Sequence, residues 1–446
     1  MSHTPRTLPS WRLAIYGLPG LPLAAVTLPV YVHVPTFYAV DLGLGFATVG
    51  AILLAARIWD AVSDPLIGFL SDRTTGRFGK RKPWIVAGAV LTALMAYLLF
   101  SPPDEVQGPF LLTVTVLLYL GWTMAVLPYN AWGAELSDDY HRRSTITAWR
   151  EGAVLAGTLL AVALPFAVGD DPADGLASLG VALLILLPLA TAAAVIWVPK
   201  TDETDVALKP TLKQVGGVIA RNRPFRRLLA AWFLNGIANG LPATLFLLFI
   251  GTVLQASDHS GALLFTYFLS AVAGLPLWLA LSRKLGKHRT WCLAMAWACV
   301  WFAGALFLGP GDVAVFFVIC VATGLALGAD LALPPSLQAD VIDLDRAAGR
   351  ERNTGAYFAL WSMAQKLALA LAVGLAFPIL EWAGFQADPL SVTGEDIAET
   401  ASPWVLAFLY AGVPIALKAA AMAVIWGHPI TAEEHAELSR RISRKE

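Results

Sequence analysis

A window of about 20 residues, the length of helix that crosses a bilayer, finds twelve apolar stretches in this chain. They lie near residues 13–38, 46–71, 83–101, 110–135, 145–168, 176–198, 226–254, 261–282, 290–309, 313–338, 354–381 and 404–427. Inside hydrocarbon every backbone N–H and C=O needs a partner within the protein, which leaves helices and closed barrels as the only spanning structures. Stretches of this length predict an all-α membrane protein with twelve transmembrane helices. Composition points the same way: 57% of residues are hydrophobic and 14% charged, against about a quarter charged in a soluble chain. Arg6 and Arg12 precede the first stretch without a small-residue cleavage site after it, so this stretch is read as the first mature span.

The segments between the stretches sort by charge. Arg73, Arg77, Lys80, Arg81 and Lys82 follow span 2, Arg142 and Arg143 follow span 4, and further basic residues fill 200–227, 283–289 and 346–352. Segments 101–108, 169–175, 256–261 and 384–403 contain no Lys or Arg. The positive-inside rule makes the basic set and both termini cytoplasmic, with a bacterial inner (plasma) membrane as the expected location. The net charge of -1 carries no message about partners; the bilayer is expected as one and nucleic acid is not. The long hydrophilic interruption divides the chain into an N-terminal six-helix bundle (1–198), a cytoplasmic central loop (199–225), a C-terminal six-helix bundle (226–427) and a cytoplasmic tail (428–446). A weak repeat supports two halves. Pro65-Leu66, Ser71, Gly79-Lys80 and Trp84 recur as Pro276-Leu277, Ser282, Gly286-Lys287 and Trp291. Such repetition places a transporter's substrate site near mid-membrane.

One span carries charge. In Arg57-Ile-Trp-Asp60-Ala-Val-Ser63-Asp64-Pro65 the two acids stand four residues apart and share a helical face. Each intramembrane charge costs roughly 2.5 to 3.5 kcal/mol on the lenient insertion scale. The acids either bind a cation or neutralise Arg57 and basic groups of neighbouring spans, and one Arg does not balance two acids. In the repeat Asp60 falls opposite Ala271 and Asp64 opposite Leu275, so the pair belongs to the first half.

The loop Gly68-Phe-Leu-Ser-Asp72-Arg73-Thr-Thr-Gly76-Arg77-Phe-Gly-Lys80-Arg81 resembles the loop between spans 2 and 3 of the major facilitator superfamily (the MFS fold of two six-helix bundles). With the Arg57–Pro65 motif, Lys82-Pro83-Trp84, Pro128-Tyr-Asn-Ala-Trp-Gly-Ala-Glu135, Thr147-Ala-Trp-Arg150, Ala339-Asp340-Val-Ile-Asp343, Gly355-Ala-Tyr357 and Lys366, the whole is similar to the glycoside-pentoside-hexuronide:cation symporter family, the group of the melibiose permease. The resemblance implies a cation held by Asp60, Ser63, Asp64 and Thr123, with Ser63 open to a plain packing role. It implies substrate binding by Arg150, Asn130, Tyr129, Trp361 and Lys366, and gating or structural roles for Arg57, Asp72, Arg73 and Arg77. Sugar-transporting members carry acids where this chain has Ala24 and Val126, and a tryptophan where it has Asn130. Loss of both acids with Arg150 retained argues for an acidic or amphipathic substrate.

The expectation is therefore a monomeric cation-coupled symporter for a small organic solute, an anionic glycoside or hexuronide or an amphipathic molecule. The alternatives are a lysophospholipid-type symporter and an uncoupled sugar facilitator. No resident cofactor is expected, and the coupling ion is Na+ or H+, with Asp60 and Asp64 as metal ligands if it is sodium. An enzyme is not expected: His3, His33, His141, His259, His288, His428 and His435 form no catalytic or metal spacing. Cys292, Cys299 and Cys320 read as buried packing residues, and Trp84, Trp291 and Trp426 as an interfacial belt. Lys418 has no role from the resemblance; it snorkels to an interface or, like Arg150 and Lys366, pairs with an acid such as Asp330.

Overall fold

The computed structural model describes residues 9–74, 78–103, 105–136, 140–167, 172–199, 222–347, 354–385 and 403–427. Among the described residues there are helices and connecting turns and no strand. The long helices follow the apolar stretches in order: α1 (Ser10–Val32), α2 (Phe46–Arg73), α3 (Lys82–Phe100), α4 (Gly108–Glu135), α5 (Tyr140–Ala167), α6 (Pro172–Trp197), α7 (Arg223–Phe249), α8 (Ser260–Leu285), α9 (Lys287–Phe302), α10 (Val313–Ala347), α11 (Thr354–Trp382) and α12 (Pro403–Ile425). Among the described residues, 11 helices are long and apolar enough to cross a membrane. Helix α5 has 28 residues and carries Arg150 and Glu151 ahead of an apolar second half.

Contacts divide the chain into two compact units, Met1–Phe37 with Ala55–Val206, and Tyr38–Leu54 with Ala207–Glu446. In the first, α1 is interrupted at Leu18-Pro19, where proline and the flanking glycines let it press on α5. Gly17 would put a Cβ 2.8 Å from the Trp149 carbonyl oxygen, and a side chain at Gly157 would overlap the Leu21 carbonyl. Small residues permit this backbone approach where lipid supplies no hydrophobic drive between helices. Tyr16, Tyr129 and Trp132 fill the core behind the crossing. Lys82 Nζ donates to the carbonyls of Val195 (2.8 Å) and Val198 (2.7 Å) at the end of α6, satisfying groups that the helix leaves open.

The second unit packs α8 on α10 through Gly324 and Gly328, which lie against the Tyr267 and Ala271 carbonyls. The first turns of α2 belong here too: Phe46 meets Phe377 edge-on at 5.2 Å, and Glu381 accepts from the Ala47 N–H. Two sequence expectations need correction. Trp291 is not a belt residue; it is fully buried and its indole Nε1 donates to Asp330 Oδ1 at 2.6 Å, because the acid inside the bundle needs a donor. Lys418 does not snorkel, since Asn235 and Asn239 of α7 accept its protons inside the unit. Trp426, 66% exposed, keeps the belt reading.

Candidate cation and substrate site

Helix α2 presents Arg57, Asp60, Ser63 and Asp64 over two turns, and Thr123 reaches them from α4. Thr123 Oγ1 stands 3.1 Å from Asp60 Oδ1 and 2.9 Å from Asp64 Oδ1. The other oxygen of Asp60 accepts from Arg57 Nη1 at 3.2 Å. That guanidinium lies 4.4 Å from the ring centre of Tyr31 on α1 and 3.9 Å from that of Tyr119 on α4, so two aromatic faces share its charge. Asp60, Ser63 and Thr123 are 0% exposed. Ser63 spends its proton on the Asp60 carbonyl at 3.0 Å, a bond common for serine within a helix, and keeps lone pairs for another partner.

Thr123 has one hydroxyl proton, so it donates fully to only one of the two carboxylates it touches. Carboxylate and hydroxyl oxygens thus converge from α2 and α4, the donor set that a hard cation takes.

A cavity of about 310 Å³ opens among α1, α4 and α5 of the same unit. Tyr31, whose ring meets Arg57, lines it, as does Trp122, the neighbour of Thr123. Its polar groups include Thr27, Thr158, Tyr129, Asn130, Arg150 and Glu151, and Ala24 and Val126 are part of its apolar wall. Arg150 donates to Asn130 Oδ1 at 2.6 Å and, through Nη2 and Nε, to Glu151 Oε1 at 2.6 and 3.2 Å. Tyr16 and Tyr129 exchange hydroxyl-to-carbonyl bonds across α1 and α4 and hold this wall together.

Asp60, Ser63, Asp64 and Thr123 thus form one cluster with Arg57, while Arg150, Asn130 and Tyr129 line the cavity beside it. Trp361 and Lys366 lie on α11 of the second unit, where Trp361 stacks on Trp232 at 4.5 Å and Lys366 is buried. Arg73 is exposed on the last turn of α2; the side chain of Asp72 and the whole of Arg77 lie outside the described residues. Sequence reasoning missed Glu151, although an acid beside Arg150 within a span was a signal. Tyr31 and Tyr119 gave none, since aromatics are ordinary in spans.

A family model described as MFS/sugar transport protein matches residues 15–432. The uncharacterized symporter sll1374 of Synechocystis sp. is 24% identical over 95% of this chain and 94% of its own. The sodium-dependent lysophosphatidylcholine symporter 1-A of Danio rerio is 22% identical, covering 96% of this chain and 87% of its own. A crystal structure of the nucleoside transporter NupG shares the fold, with a TM-score of 0.69 at 13% identity over 93% of this chain and 99% of that one.

Proposed function

We propose, on the premise that this chain belongs to the MFS/sugar transport protein family, that it is a cation-coupled symporter working by alternating access. The family and the fold are those of multi-pass membrane transporters, not of enzymes. The observation that carries cation coupling is the pair Asp60 and Asp64 meeting on one hydroxyl, two carboxylates and a threonine oxygen brought together inside the first unit. A facilitator without an ion has no use for the second acid. Na+ or H+ is the cation these oxygens take, and Ser63 adds an oxygen to the set.

The substrate is a small organic solute taken into the cavity of α1, α4 and α5. Arg150 is its charged anchor, and Glu151 is the intramolecular stand-in that an incoming carboxylate or phosphate displaces; Glu151 has a side chain 57% exposed and is placed to leave. Anionic glycosides and hexuronides meet this chemistry. A lysophospholipid is the second reading, favoured by opposite charges at Arg150 and Glu151 above a wall of Leu23, Ala24, Leu28 and Val126. Lys366 and Trp361 are proposed as further substrate-binding residues, and the protein to act as a monomer in a bacterial inner membrane.

Thermal-shift screening of the purified protein against neutral sugars, glucuronides and lysophospholipids, with and without Na+ and across pH, tests this reading. A ligand that binds the folded state raises the melting temperature. The expected result is an anionic or amphipathic ligand whose stabilising effect grows with the coupling cation. A stabilising ligand indifferent to Na+ and pH returns the uncoupled facilitator.

A further inference from the structure

The second unit encloses a charged group that the transport reading does not use. Lys418 of α12 is 8% exposed. Its ammonium donates to Asn235 Oδ1 at 2.7 Å and Asn239 Oδ1 at 2.8 Å, both on α7, and lies 3.6 Å from Asp330 Oδ2 on α10. Asn239 also faces the acid, donating through Nδ2 to Asp330 Oδ2 at 2.9 Å, and Trp291 holds Oδ1 at 2.6 Å. The ammonium therefore sits among three oxygens from two helices, two of them amide carbonyls and one a carboxylate oxygen. This is how a protein replaces the hydration shell of a monovalent cation.

We propose that this is a monovalent-cation site permanently filled by a tethered cation, the Lys418 ammonium. It ties α7, α10 and α12 together and keeps this site from taking an ion from solution. The site is balanced within itself, since the charges of Lys418 and Asp330 sum to zero. The amide oxygens stand farther from the nitrogen than the roughly 2.3 to 2.6 Å at which oxygens hold calcium. A vacated site therefore suits ammonium, then potassium, ahead of a smaller ion.

The test is thermal stability of purified protein in an Asp64→Asn background, which removes one of the two acids of α2 proposed to hold the coupling ion. Removing Lys418 leaves Asp330 without its counter-charge, so Lys418→Ala in that background should melt about 5 °C or more below its parent. Ammonium chloride, and more weakly potassium chloride, should restore most of the loss where choline chloride at equal ionic strength does not. The parent, which keeps Lys418, should not respond. Adding Asp330→Asn to Lys418→Ala removes both charges and should recover stability while abolishing the cation response. Should Lys418→Ala fail to fold, that is the extreme of the expected loss, and folding of the doubly neutral variant decides. The proposal is overturned by a Lys418→Ala variant that melts like its parent, by one that ammonium and potassium leave unchanged, or by a doubly neutral variant that does not recover.

Discussion

At the scale of single residues, one hydroxyl decides much of the cation chemistry. Thr123 is 59 residues from Asp64 in the chain, so no local period could bring them together on paper. The spacing of Asp60 and Asp64 showed only that they share a face; the resemblance supplied Thr123. Replacing Thr123 with Val keeps the shape and deletes the hydroxyl. Loss of a hydrogen bond to a charged group costs about 1.5 to 3 kcal/mol, so the cation concentration for half-maximal stabilisation should rise roughly ten- to a hundredfold. Asp64→Asn should go further and abolish concentrative uptake while expression persists; wild-type accumulation ratios in that variant would remove Asp64 from the cation site. Arg150→Ala should weaken the true substrate by about the same ten- to a hundredfold. A neutral sugar that binds tightly, with cation dependence, in the Arg150→Ala protein would show that the anchor has been misplaced.

At the scale of helices, the lengths were legible because lipid imposes them. Apolar runs near 20 residues have few alternatives to spanning, and the repeated prolines, Pro65 in α2 and Pro276 in α8, fall inside helices as the alignment of halves requires. Contacts inside the bundles were not legible, because lipid-facing and protein-facing apolar residues look alike in sequence. Trp84 and Trp291 occupy matching places in the repeat, yet Trp84 Nε1 donates to Thr74 at 2.7 Å while Trp291 serves a buried acid. The approach of α1 to α5 is the contact that sets Arg150 in the cavity, and it makes a paired prediction. Gly157→Val would drive a side chain into the Leu21 carbonyl, whereas a Cβ at Gly152, one and a half turns earlier on α5, meets nothing within 4 Å. The first variant should lose thermal stability and ligand affinity together. Gly152→Ala should be neutral or gain up to about 1 kcal/mol from helix propensity. Equal behaviour of the two in a melting assay would mean that the α1 and α5 backbones are not in contact.

At the scale of the whole molecule, coupling is a property of two ligands and not of either site alone. If the cation raises substrate affinity by some factor, substrate raises cation affinity by the same factor. Titrations in both directions should therefore agree, and the shared element is α4, which sends Thr123 to the acids and Trp122 to the cavity. Direction of transport needs one more fact, the orientation of the chain, and that rests on the loops. Lys and Arg crowd the segment after span 2, and none occurs between 384 and 403. Translocation of short basic loops is disfavoured, so a cysteine placed at Gly76 should be shielded from an impermeant thiol reagent in intact cells and react only after the membrane is opened. A cysteine at Thr393 should react from outside at once. Labelling of both positions in intact cells would overturn the topology, and with it the cytoplasmic placement of the basic segments.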